Sequence, residues 1–335
     1  MNDAMHENIL LIRLKSIGDV VLTLPAVHCM RENFPSAKIT FLTSKENAPL
    51  LAGFREVNQV ITLDRTALRS GNPLKMAGEF FGLLKRLRAG KFSLVVDFQG
   101  YGETAWLTRI TGAPQRWGQV RRTGRDWAYT QRIEPVRAIH PAEAHLSLLK
   151  QCGLSAKEVR NEFSLPDMAV KDARAWFADH RLDSTKPTLY LQPLTSGSHK
   201  NWPLDNYLAL ARHWQTAGVQ IILGGGPADR VALEPARRQG FTVSAGVPLL
   251  LTGGLMQLAT LVVGGDTGAL HLAVAQGKRV LMLLHQATPG SPVPFQHPDW
   301  VVVAPKPVAI ADIPVADVNS AIARILRAPA GNVSG

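Results

Sequence analysis

Four short stretches hold residue types that can do chemistry. The first is Lys15-Ser16-Ile17-Gly18-Asp19, directly after an apolar run. A carboxylate there has two uses. It can cap the helix that follows, or it can take a proton from a hydroxyl. Spacing alone favours the cap, with Asp19 at the N-cap position. Gly18 permits a backbone conformation forbidden to other residues and lets a ligand approach. Pro25 falls inside the same helical stretch and should kink it or mark its true start. The second stretch is "LVVGGDTGALHLAVAQGKRVLMLL", Leu261 to Leu284. It reads as strand, Gly-Gly turn, Asp266-Thr267-Gly268, helix, Gly277 stop and strand. Free N–H groups and the helix dipole at such a start suit phosphate oxygens, and the Thr267 hydroxyl can add a bond. The plainer reading is a tight turn capped by Asp266. His271 lies one turn into the helix, where a histidine is usually packing or support.

The third stretch, "LQPLTSGSHKNWP", carries small hydroxyls at Thr195 and Ser196, a glycine and Lys200 after a strand. That set suits an anionic ligand, though a solvated lysine reads equally simply. The fourth, "ILGGGPADR", places three glycines after a strand and allows close approach of a ribose or base. It is no P-loop, and no full Gly-x-Gly-x-x-Gly follows a strand, which disfavours a nicotinamide dehydrogenase. Catalytic Cys/His or Ser/His/Asp spacings are absent.

These residues need elements to hold them. Apolar runs at Ile9–Leu14, Lys38–Thr43, Gln59–Leu63 and Leu94–Phe98 read as strands. So do Thr188–Gln192, Val219–Leu223, Leu261–Gly264, Arg279–Leu284 and Trp300–Val303. Several are continuously apolar, as expected of parallel strands covered on both faces. Helical patterns intervene at Val20–Asn33, Pro73–Ala89, Thr104–Ile110, Ala142–Gln151 and Lys171–His180. They recur at Leu204–Ala217, Ala228–Gln239, Thr267–Gln276 and Ala316–Leu326. The alternation predicts an α/β fold of doubly wound parallel sheets, and it runs twice. The chain of 335 residues accommodates two Rossmann-like domains, 1–165 and 166–335, facing a central cleft. The last helix is expected to pack back on the N-terminal domain. Ligands in such sheets sit beyond the carboxyl ends of strands, where all four stretches lie.

Composition narrows the class. With 46% hydrophobic and 19% charged residues the chain reads as soluble and globular. No apolar run is long enough to span a bilayer, and the opening "MNDAMHEN" lacks the apolar core of a signal peptide. Cys29 and Cys152 lie in no metal spacing, so a reducing cytosol is the simplest setting. The net charge is +11. Residues 1–165 hold 23 Lys+Arg against 15 Asp+Glu, a balance of +8. Seven arginines crowd together: Arg109, Arg116, Arg121, Arg122, Arg125, Arg132 and Arg137. They favour an anionic partner, whether a phosphorylated substrate or an anionic membrane. No nucleic-acid motif accompanies them, so nucleic acid is not expected.

Three of these stretches in order resemble one family. "IRLKSIGDVVLTLPAV", "GSHKNWP" and "GGDTGALHLAVAQGKRVL" are similar to the motifs of the ADP-heptose:lipopolysaccharide heptosyltransferases, glycosyltransferase family 9. The resemblance spans about Asn8 to Leu326. It implies a GT-B fold and inverting, metal-independent transfer of a heptose from ADP-heptose to a hydroxyl of the lipopolysaccharide inner core. No cofactor or metal is implied. Asp19 would be the general base. Lys200, Thr195, Ser196, Asp266, Thr267, Gly268 and His271 would bind the donor, with Asp229 on the ribose and backbone near Val247 at the adenine. Lys15, Ser16, Gly18, Arg121, Arg122 and Arg125 would bind the acceptor. The enzyme would work as a monomer at the cytoplasmic face of the inner membrane, peripherally, with Trp106 and Trp127 able to touch the membrane surface. Two departures stand out. The lead-in to Lys200 is shorter and richer in hydroxyls, and "LLLTGGLMQLATL" is glycine-rich where the family has an ordinary helix. Alternatives are a GT-B transferase using another nucleotide-sugar, a related epimerase, or a nucleotide-binding module without catalysis.

Overall fold

A computed structural model describes residues 7–120, 124–305 and 309–327. The chain divides into two compact units, Met1–Asn161 and Glu162–Gly335. In the first, the order is β1 (Asn8–Ile12), α1 (Ile17–Val21), α2 (Leu24–Asn33), β2 (Lys38–Ser44), β3 (Gln59–Leu63), α3 (Arg65–Leu68) and α4 (Pro73–Ala89). Then come β4 (Leu94–Asp97), α5 (Gly102–Ile110), β5 (Gln115–Gln119), β6 (Gln131–Ile133) and α6 (Pro141–Gln151). The strands form one parallel sheet, β3-β2-β1-β4-β5-β6.

The second unit repeats the plan. It runs α7 (Asp167–Asp179), β7 (Thr188–Gln192), α8 (Leu204–Thr216), β8 (Gln220–Leu223), α9 (Glu234–Arg238), β9 (Thr242–Val243) and α10 (Leu249–Leu258). It closes with β10 (Leu261–Gly265), α11 (Gly268–Ala275), β11 (Val280–Leu284), β12 (Val301–Val303) and α12 (Val315–Arg327). Its sheet is β12-β11-β10-β7-β8-β9, again parallel. In both sheets the strand order reverses at one junction, β1 beside β4 and β7 beside β10. That switch point opens the crevice in which doubly wound sheets take ligands.

The continuous apolar runs are central strands. Ile9, Leu10, Leu11 and Ile12 are wholly buried, as are Leu189, Tyr190 and Leu191. Each such side chain contributes roughly 1.5–3 kcal/mol on burial. The expected helix Val20–Asn33 is two helices. α1 starts earlier, at Ile17, and α2 has Thr23 as its cap and Pro25 in its first turn. Proline lacks an N–H there that the helix would leave unused anyway. The expected helix Ala228–Gln239 shrinks to α9 after a short turn at Pro227–Asp229.

Three strands and two helices lie outside the sequence reading; one of the helices is the single turn α3. β5 and β6 are polar, and β9 is two residues long. The longer helix is α10, within the glycine-rich "LLLTGG". A Cβ on Gly254 would stand 2.7 Å from both the Ala169 carbonyl oxygen and Ala173 Cβ. The glycine therefore lets α7 and α10 lie close, and it marks helix packing instead of a loop. α12 packs on α8 and β12 of its own unit, with Val318, Ala321 and Ile322 in that core. The apolar stripe of α12 matches the face that Trp214 presents, and Trp214 Nε1 donates to Asn319.

Candidate active site

Both clusters of chemistry-bearing residues stand at the switch points. In the first unit, the loop after β1 meets the loop after β4. Gln99 Oε1 accepts the N–H groups of Leu14 at 3.0 Å and Lys15 at 3.4 Å. Arg13 Nη1 donates to the Phe98 carbonyl at 2.7 Å. The β4 loop is itself held by Asp97, whose Oδ1 accepts Gln99 N–H at 2.8 Å and Gly100 N–H at 3.0 Å. Its Oδ2 accepts the Tyr129 hydroxyl at 2.7 Å. Full burial pushes the Asp97 carboxyl up despite these bonds, and burial beside Asp97 pushes the Tyr129 phenol well above its ordinary range. Gly100 has φ +66°, and a Cβ there would meet the Gln119 carbonyl oxygen at 2.3 Å, so the loop admits only glycine at that point.

Asp19 is not the N-cap. Ser16 holds that position, and Asp19 is the third helical residue of α1. Its Oδ2 accepts the Ser16 N–H at 2.7 Å and the Ser16 hydroxyl at 3.2 Å, the acidic half of a capping box. Oδ1 lies 2.6 Å from Arg13 Nη2. The carboxylate keeps 40% of its side-chain surface exposed while Arg13 keeps 12%. It is thus anchored on both oxygens yet open on one side. Gly18 is buried in ordinary helical backbone and not in a positive-φ turn, which corrects the expectation of a special conformation there. Lys15 and Ser16 are exposed on the loop.

In the second unit, the loop after β7 lies on the turn after β10. A Cβ on Gly265 would stand 2.8 Å from the Lys200 carbonyl oxygen, so the two meet backbone to backbone. Trp202 anchors the loop: it is buried against Tyr207 and donates from Nε1 to the Ile313 carbonyl at 2.9 Å. The Lys200 ammonium then reaches Asp266 Oδ2 at 2.5 Å. Asp266 Oδ1 lies 3.1 Å from His271 Nε2. A carboxylate only accepts, so Nε2 carries the proton in this contact. Burial alone would raise the Asp266 carboxyl, but the hydrogen bonds and charges of His271 and Lys200 outweigh it and hold it below the ordinary range. His271 is 4% exposed and supports Asp266 from within α11.

Asp266 therefore does not cap α11. Thr267 does, its Oγ1 accepting the Leu270 N–H at 3.4 Å. Gly268 is the first helical residue. The open N–H groups there and the Lys200 ammonium share one small region that attracts anions. A cavity of about 460 Å³ adjoins it, lined by His199, Lys200, Asp266, Leu284, His285 and Ser291 among others.

The other predicted donor residues divide. Thr195 is in the Lys200 loop, but its hydroxyl is engaged there, donating to the Gly197 carbonyl and accepting its N–H. Ser196 is exposed. Asp229 stands after β8, with Oδ2 accepting the Gly226 N–H at 2.7 Å. Val247 follows β9, and the two loops join through Gly246 N–H to the Gly225 carbonyl at 2.9 Å. No hydrogen bond or ion pair among the described residues links Asp229 or Val247 to the Lys200–Asp266 cluster.

The arginine run is less free than its spacing suggests. Arg116 spends Nε on the Ala128 carbonyl and Nη1 on the Ala113 carbonyl, stitching β5 to the segment before β6. Arg132 pairs with Asp126 at 3.1 Å. Arg125 Nη1 donates to the Gly100 carbonyl at 2.9 Å. Arg121 and Arg122 lie outside the described residues. Sequence reasoning missed Arg13, Gln99, His199 and His285. Arg13 had a usable signal: a cation embedded in an apolar strand end needs a carboxylate nearby.

With this geometry in hand, likeness to known proteins is informative. The model of glycosyltransferase family 9 (heptosyltransferase) matches residues 80–309. Lipopolysaccharide heptosyltransferase 3 of Escherichia coli is 26% identical over 277 residues, 79% of this chain and 80% of that protein. The crystal structure of a family 9 glycosyl transferase from Veillonella parvula has a TM-score of 0.85 at 18% identity, covering 96% of this chain and 97% of that one. The structure of E. coli ADP-heptose lps heptosyltransferase II has a TM-score of 0.80 at 20% identity, covering 95% and 98%.

Proposed function

Because the chain belongs to glycosyltransferase family 9, the heptosyltransferases, we propose that it moves a heptose from ADP-heptose to a hydroxyl of the lipopolysaccharide inner core, with inversion. Its two doubly wound sheets are of the GT-B type, as in the family's solved structures. The observation that carries the reading is Lys200 fixed by Asp266 at the start of α11.

In the proposed reaction Asp19 takes the proton of the acceptor hydroxyl as its oxygen bonds to the anomeric carbon. The bond from that carbon to the β-phosphate oxygen breaks in the same displacement. ADP leaves with the electron pair and needs no strong acid to do so. Charge growing on the β-phosphate meets the Lys200 ammonium and the N–H groups of α11, which are in place before reaction. Asp266 holds Lys200, and His271 holds Asp266. The loops after β8 and β9, with Asp229 and Val247, serve the nucleoside. Lys15, Ser16 and Arg125 serve the acceptor, with Arg121 and Arg122 beside them in sequence.

The acceptor is a membrane lipid, so the enzyme acts as a peripheral monomer at the cytoplasmic face of the inner membrane. Among the described residues no helix is long and apolar enough to cross a membrane. A nucleotide panel tests the donor. Calorimetric titration with ADP, UDP, GDP and CDP is expected to show ADP binding tightest. Tighter binding of UDP would move the reading to another nucleotide-sugar.

A further inference from the structure

The first unit carries an apolar surface that the proposed reaction does not use. α4 starts at Pro73, capped by Asn72, whose side-chain oxygen accepts the Leu74 and Lys75 N–H groups. Only its second half reaches the core, through Leu83 and Leu87. The first half stands out from the body. Leu74 is 84% exposed, Phe81 64% and Phe80 49%. One exposed leucine is ordinary, but three large apolar side chains on two turns are not. α5 adds Trp106, 62% exposed, which packs edge to face on the exposed Trp127 with ring centroids 4.7 Å apart.

The pieces adjoin. α3 packs on α4, and Arg65 of α3 lies 3.6 Å from Glu103 in the first turn of α5. α4, α5 and the Trp127 turn all begin beyond the carboxyl ends of β3, β4 and β5. Asp19 follows β1 and so lies on the same edge of that sheet.

We propose that this rim, the first half of α4 with Trp106 and Trp127, seats the enzyme on the surface of an anionic lipid bilayer. The inference rests on the acceptor being a membrane lipid and goes beyond it by naming the contact surface. Charge selects the occupant. Lys75, Arg69 and Arg109 are exposed on or beside these elements. The acids are turned to cations: Glu79 accepts the Asp64 N–H at 3.1 Å and pairs with Arg86, Glu103 pairs with Arg65, and Asp126 pairs with Arg132. Residue type agrees. Leucine and phenylalanine enter the acyl boundary, and tryptophan settles at headgroup level with its N–H satisfied, as Trp127 Nε1 is by the Gly124 carbonyl.

The test is co-sedimentation of the full chain with vesicles of phosphatidylethanolamine and phosphatidylglycerol, without donor or acceptor. Wild type is expected to sediment, and far less with phosphatidylcholine alone. The combined variant Leu74→Ser, Phe80→Ser, Phe81→Ser is expected to lose about tenfold or more in vesicle affinity. Its transfer to a deacylated, water-soluble acceptor should match wild type, which separates docking from catalysis. A second readout is Phe81→Cys carrying an environment-sensitive dye. Cys29 and Cys152 are buried, their thiols pushed up to about 11 and about 12, so labelling falls on position 81. The dye should shift to the blue on anionic vesicles. Equal vesicle binding by variant and wild type, or an unshifted dye, overturns the proposal. So does sedimentation velocity showing a wild-type dimer that the variant abolishes, since a second copy would then cover the rim. Vesicle binding without heptose transfer leaves this surface standing and removes the proposed function instead.

Discussion

Asp266 stands between Lys200 and the buried His271, and its contact with Lys200 Nζ is 2.5 Å. The lysine is therefore aimed before any ligand arrives. Lys200→Ala is expected to weaken ADP binding by about tenfold or more, since a charged hydrogen bond to phosphate is worth about 1.5–3 kcal/mol. Asp266→Asn should weaken it by a smaller factor, because the lysine remains but is no longer held. Calorimetry with ADP reads both. Unchanged affinity in Lys200→Ala would remove that residue from the phosphate site.

The same pair predicts a pH dependence of stability. Asp266 titrates below the ordinary carboxylate range in the folded chain. The unfolded state then binds its proton first as pH falls, so the stabilisation is complete above the unfolded value and is lost through the folded one. The stability difference between wild type and Asp266→Asn should stay level from neutrality to about pH 4 and shrink below it. Urea melts at stepped pH measure this. A difference that already shrinks between about pH 7 and 5 would contradict the pairing.

Arg13 is the residue that orients Asp19. Arg13→Gln removes the ion pair and frees the carboxylate to turn, while Ser16 still holds one oxygen. Transfer should fall by about tenfold or more with ADP affinity unchanged, because the effect lies on the acceptor side. Arg13→Lys should recover part of the rate. Steady-state kinetics with separate donor titration checks both. A variant that loses donor affinity instead would move Arg13 out of this role.

The proposed role of Lys200 at the leaving phosphate predicts independence from divalent metal. Transfer rates with and without excess chelator should agree. A rate that collapses with chelator and returns with magnesium would assign the phosphate charge to an ion and demote Lys200.

Much of this architecture was legible because buried parallel strands are continuous apolar runs. "ILLI", "LVVD", "TLYLQ" and "VLMLL" all became central strands. β5, "QRWGQ", was not legible: polar residues dominate it, and its burial comes from partners distant in sequence, such as Tyr129 against Gly118. α10 was hidden by its Gly-Gly pair, of which Gly254 makes room for α7, a contact that no local pattern reveals. In the site, loop chemistry placed Asp19, Lys200 and Asp266 on the right strand ends. Spacing could not show that Arg13 pairs with Asp19, or that Asp266 turns to Lys200 and His271 instead of capping α11. Side-chain direction in a tight turn depends on the loop packed over it, and that loop comes from another strand. The arginine run misled for a related reason. Backbone carbonyls of neighbouring loops and turns take up Arg116 and Arg125, and sequence does not display them.

The central claim is that Asp19 is the base. Asn at this position keeps an oxygen for the Ser16 N–H but faces Arg13 without charge, so some stability is expected to be lost along with the base. The direct measurement is the transfer rate of purified Asp19→Asn at saturating ADP-heptose and acceptor, on protein shown to be folded and to bind ADP as wild type does. The expected result is a fall of about 10²–10⁴ in kcat. A folded variant that transfers heptose at near wild-type rate would contradict the account and leave Asp19 as the acidic half of the capping box that Ser16 opens.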